Sequence, residues 1–119
     1  MQHRAEEPFR VETTRNSRYT FSFGKAVATE IARAVSSQLQ ADPQQFPENT
    51  PFLLDRLKSG ATLTKGDVSQ LIRLHPQLPG LSMSADAALK TAAQKLSEIS
   101  LREQQRFLYF RSAKPDENQ

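Results

Sequence analysis

The residues with the most chemical potential in this 119-residue chain are aromatics interleaved with arginine. Arg18 precedes Tyr19, Phe21 and Phe23, and Arg106 and Arg111 frame Phe107, Tyr109 and Phe110. Flat rings beside guanidinium groups can stack nucleobases and hold phosphates. The same residue types are enriched at protein interfaces. In a chain without tryptophan, both runs are also plain core material. The ribonucleoprotein motif does not fit, because it needs glycines between its aromatics.

Catalytic and metal-ligating patterns are missing. There is no cysteine, which removes disulfides, thiolate metal sites and cysteine nucleophiles together. The two histidines, His3 and His75, lie far apart in the chain, and neither has a second histidine at helical spacing. No serine sits in a Gly-x-Ser-x-Gly elbow. Gly60 and Gly66 do not make a phosphate loop: the required lysine after the second glycine is replaced by Asp67, which would repel a phosphate. Glu30, Asp55, Asp67, Asp86, Glu98 and Glu103 all fall at exposed or capping positions of the expected helices, so no acid–base pair stands out. These readings point to a chain that is not an enzyme and carries no cofactor or metal.

Charge narrows the partner less sharply. The net charge is +3, and residues 84–112 hold +2 of it, as five cations against three anions. No block resembles a polybasic arm. A nucleic-acid reading would use Arg18, Lys95, Arg102, Arg106 and Arg111; Arg102 and Arg106 are four apart and share a helix face. A helix-turn-helix over Phe52–Leu74 fails its own pattern, since Arg56 stands where a small residue belongs. No apolar run approaches a membrane span, and Met1 to Arg10 lacks the apolar stretch of a secretory signal. The expected location is cytoplasmic.

The elements that must position these residues follow from hydrophobic period. Residues 1–8 read as a flexible lead. Phe9 and Val11, then Tyr19, Phe21 and Phe23, alternate with polar residues, which predicts a hairpin of 9–13 with 18–23. After Gly24, the stripe Val27, Ile31, Ala34, Val35 and Leu39 predicts a helix that Pro43 closes. Phe46 is expected to pin the polar loop that follows. Thr50 and Pro51 suit a helix start, with Phe52, Leu53, Leu54 and Leu57 as its apolar face and Gly60 as its stop. Thr64 and Asp67 have capping-box spacing, ahead of Val68, Leu71, Ile72 and Leu74. The run His75-Pro76 to Pro79-Gly80 breaks the pattern. Ser84 is expected to cap the longest helix, with Ala85, Ala88, Leu89, Ala92, Ala93, Leu96 and Ile99 on one face. That helix is read to about 110, with a kink near Ser100; a strand over 106–111 is the competing reading. Residues 113–119 are expected to be a disordered tail.

The fold class is α-rich α+β: one domain over 9–112, an N-terminal β-hairpin followed by a bundle of four to five helices. The expected function is a small cytosolic binding module, an adaptor or regulatory subunit, whose partner is another protein or a second copy of itself. Its partner-binding residues are expected to be Phe107, Tyr109, Phe110 and Arg106, with Leu89, Leu96 and Ile99 as a helical docking stripe; the competing reading packs that stripe on the helix from Val27 to Leu39 within the same chain. The alternative is a nucleic-acid-binding subunit using the basic and aromatic helix face.

Overall fold

A computed structural model describes residues 7–15 and 18–116, with side chains as far as Arg106. β1 (Phe9–Thr13) and β2 (Tyr19–Phe23) pair antiparallel, with Phe9 opposite Phe23 and Thr13 opposite Tyr19. Alternation sorts the side chains by face. Phe9 and Phe21 are buried and stack with centroids 6.0 Å apart, and Phe9 also meets Phe23 at 5.0 Å. Arg10 and Glu12 stay in solvent. The outer edge of β2 is closed by a residue from far along the chain. The Phe21 N–H donates to the Leu63 carbonyl at 3.0 Å, and the Phe21 carbonyl accepts from the Leu63 N–H at 2.7 Å.

α1 (Lys25–Ala41) buries Val27, Ile31 and Val35 as its period predicts, and Ala28 and Ala32 widen the stripe. Phe46 is buried and ties the following loop to the core. α2 (Thr50–Ser59) buries Leu53, Leu54 and Leu57 and stops at Gly60, whose φ of 78° is the left-handed conformation that suits glycine. Two expectations for α2 are corrected. Thr50 is its first residue rather than its cap, and its buried hydroxyl accepts from Gln70 Nε2 at 3.2 Å. Phe52 is 62% exposed, because one step back from Leu53 turns a side chain about 100° away from the buried face.

α3 (Lys65–Leu74) opens with the capping box that its spacing predicts. The Asp67 N–H donates to Thr64 Oγ at 3.1 Å, and the Thr64 N–H donates to Asp67 Oδ2 at 3.0 Å. A single 3-10 turn, His75–Gln77, then leads toward α4 (Met83–Asp116). The start of α4 lies earlier than expected. Ser82, not Ser84, supplies the cap, its Oγ accepting from the Ala85 N–H at 3.2 Å. Its end lies later. The helix is not interrupted at Ser100, there is no strand over 106–111, and the helical backbone continues through 113–116. The reason is local: no glycine or proline interrupts Met83 to Lys114, and Pro115 arrives only in the last turn. Residues 1–6 of the lead and 117–119 of the tail lie outside the described residues.

The helices form two pairs, α1 against α2 and α3 against α4, and α1 also packs on α4 to join them. α3 and α4 run antiparallel: His75 meets Asp86 at one end of the pair and Lys65 meets Glu103 at the other. Ala85, Ala88 and Ala92 are all buried, which lets the backbone of α4 come close to its neighbours. β1 lies beside α4 and β2 beside α3. The architecture is therefore a two-stranded hairpin followed by four helices around one core. Among the described residues, no helix is long and apolar enough to cross a membrane.

Candidate functional site

α4 changes character at Ile99. Before it, Ala85, Ala88, Leu89, Ala92 and Ile99 are buried and Leu96 is half-buried. After it, every residue from Ser100 to Arg106 is exposed. The cause is the length of α3. Lys65, the first residue of α3, meets Glu103 at 2.8 Å, and α3 has no further turn to offer. From Gln104 to Asp116 the helix runs on past its partner, at 1.5 Å per residue a distance of about 20 Å.

The expected partner-binding residues are divided by this boundary. Leu89 and Ile99 are 0% and 4% exposed, so they belong to the chain's own core and cannot face a partner. Leu96 packs against the same core. Burial of one apolar stripe against α3 and α1 is the physical reason for the correction. Arg106 is exposed on the projecting part. Phe107, Tyr109, Phe110 and Arg111 stand on the helical backbone that follows, and their side chains lie outside the described residues. Leu101 is 56% exposed and was not expected. Its position was legible in outline: two residues past Ile99 is about 200° round the helix, away from the core stripe.

Of the five cations of the nucleic-acid reading, Lys95, Arg102, Arg106 and Arg111 stand on α4 and Arg18 does not. Arg18 is exposed on the hairpin, where its N–H donates to Thr14 Oγ. Lys95 is exposed on α4 and lies 3.8 Å from Glu98. Arg102 and Arg106 are exposed one turn apart, with no ion pair among the described residues.

The acids of the fold hold elements together. Asp86 sits between His75 Nε2 at 2.7 Å and Lys90 Nζ at 3.1 Å. The hydrogen bond from His75 does most to hold its carboxyl below the usual range, helped by Lys90. Glu30 of α1 accepts from both the N–H and the Oγ–H of Ser82, at 2.5 and 2.7 Å, and the backbone bond does most to lower its pKa. Burial pushes the Asp67 carboxyl up. The two-pronged bond from Arg56, at 2.6 and 2.9 Å, and the Thr64 N–H outweigh it and leave the group below its ordinary value. That Arg56–Asp67 pair joins α2 to α3 and was not anticipated, since Asp67 reads in sequence as a cap alone. Among the described residues, no three His, Cys, Asp or Glu side chains stand together as a metal site. A surface groove of about 600 Å³ lies between α1 and Pro79–Leu81, beside Thr29, Glu30 and Arg33. Its one acid, Glu30, is already engaged by Ser82.

Set beside protein-family models, curated proteins and solved structures, the chain matches none in any of the three comparisons.

Proposed function

We propose that the chain is a small, non-enzymatic, cytosolic binding module, an adaptor or regulatory subunit, that works through protein–protein contacts on the projecting part of α4. One observation carries this reading: a helix that continues well beyond Ile99, the last buried side chain among the described residues, with Leu101 in solvent. A helix without a packed face is maintained poorly by propensity alone. A partner that wraps this part of the helix, covering Leu101 and the Phe107, Tyr109 and Phe110 segment, would bury apolar surface along it. Nucleic acid suits the surface less well. Arg102 and Arg106 share it with Glu98 and Glu103, and Arg18 belongs to another element.

The test is capture of partners by the full-length chain at low and high salt, with and without nuclease. The expected result is one stoichiometric protein that survives both treatments. Leu101→Ser with Phe107→Ser should cut its capture about thirtyfold, the loss of one strong anchor of about 2 kcal/mol. Arg102→Glu with Arg106→Glu should leave most of it. Bound nucleic acid that leaves at high salt and is abolished by the arginine reversals would overturn the reading in favour of phosphate contacts.

A further inference from the structure

The two outer edges of the hairpin are treated differently. Leu63 closes the edge of β2. Among the described residues, nothing pairs with the edge of β1. The hydrogen-bond pattern says which groups are left there. In an antiparallel ladder, alternate residues turn their N–H and carbonyl toward the partner strand and the others turn away. Phe21 directs both groups to Leu63, away from β1, so its opposite number Val11 directs both away from β2. The Gly24 N–H to Pro8 carbonyl bond and the Thr14 N–H to Arg18 carbonyl bond extend this register at each end. Phe9, Val11 and Thr13 therefore present a row of outward backbone donors and acceptors. Beside the strand lies an open hollow of about 550 Å³, bounded by Glu7, Phe9, Val11 and Lys95.

We propose that this edge pairs with the same edge of a second copy of the chain, antiparallel and two-fold about Val11, to make a four-stranded sheet. The side chains select this occupant. With Val11 opposite Val11, Arg10 of each copy falls opposite Glu12 of the other, and Phe9 falls opposite Thr13. Arg10 and Glu12 lie on the same exposed face and already touch within one strand at 2.8 Å. Across the two-fold they become a ring of four alternating charges. Edge charges normally block strand addition. Here the two opposite signs, placed symmetrically about Val11, make the strand complementary to itself. The Val11 pair exchanges two backbone bonds, and each Phe9 and Thr13 pair exchanges two more.

Sedimentation of the full-length chain over a range of concentrations tests this. The wild type is expected to pass from monomer to dimer. Arg10→Glu and Glu12→Arg, each alone, place like charges opposite one another and should each weaken dimerisation about tenfold or more. An equimolar mixture of those two variants should dimerise again, because each supplies what the other lacks. The double variant carrying both substitutions should self-associate like the wild type. Both positions are exposed, so circular dichroism of every variant should match the parent. A wild type that stays monomeric, or a dimer that neither reversal weakens, overturns the proposal.

Discussion

The two halves of α4 have the same helical backbone and opposite support. From Met83 to Ile99 the helix is capped by Ser82, tied to α1 through Glu30 and to the end of α3 through His75, and buried along one stripe. From Ser100 to Arg106 a lone surface ion pair, Lys65 with Glu103, attaches it among the described residues. The difference teaches that helix length and helix support are set separately. Absence of a breaker sets how far the helix goes, whereas the length of α3 sets how far it is held.

The comparison can be broken hardest at Leu89. Leu89→Ala removes a fully buried side chain of the supported half and should cost about 3 kcal/mol in chemical denaturation. Leu101→Ala, in the projecting half, should change stability by less than about 0.5 kcal/mol. Equal losses at the two sites would erase the boundary drawn at Ile99. Next in size is the cap. Ser82→Ala removes the acceptor for Ala85 and a donor to Glu30, and should cost about 1 kcal/mol. The effect should appear as faster amide exchange over residues 83–88, with no change beyond 100.

Acid sharpens the same contrast. Asp86 and Glu30 both have folded-state pKa values below their ordinary ones. Their contribution is therefore present above about pH 4 and is lost as pH falls through the lowered values. Titration below pH 4 should loosen the start of α4, seen as faster exchange at Ala85 and Asp86, before the helix–helix core melts. Smallest of all is Glu103→Gln. Lys65 and Glu103 are each nearly half exposed, so their pair should be worth less than about 0.5 kcal/mol at low salt and nothing measurable at 1 M salt.

The elements of this fold were legible because their signals are local. Alternation of Phe9 and Val11 with Arg10 and Glu12 marks a strand by itself. Thr64 with Asp67 marks a helix start by itself, and the structure has both. What sequence could not show was which element each face would meet. Leu89 and Ile99 were readable as an apolar stripe, yet a stripe does not say whether its partner is α3 or another protein. Asp67 was readable as a cap, but its pair with Arg56 depends on the approach of α2 to α3. The surface on α4 was half legible for the same reason: Arg106 could be placed on a helix and Leu101 on the face away from Ile99, while the exposure of Glu103, four residues past Ile99 on the core stripe, follows only from where α3 ends.

The bond pair between Phe21 and Leu63 also has a temporal consequence. It joins residues separated by α1 and α2, and closing a loop of that span costs about 3 kcal/mol of chain entropy. The helical pair α3 and α4, whose turn is short, meets no such obstacle. During refolding the helices should therefore assemble first and the hairpin should dock last, once Leu63 has been brought to its edge. Until that moment both edges of the hairpin are open at once, and the nascent chain passes through a stage in which β2 as well as β1 can be captured by a neighbour.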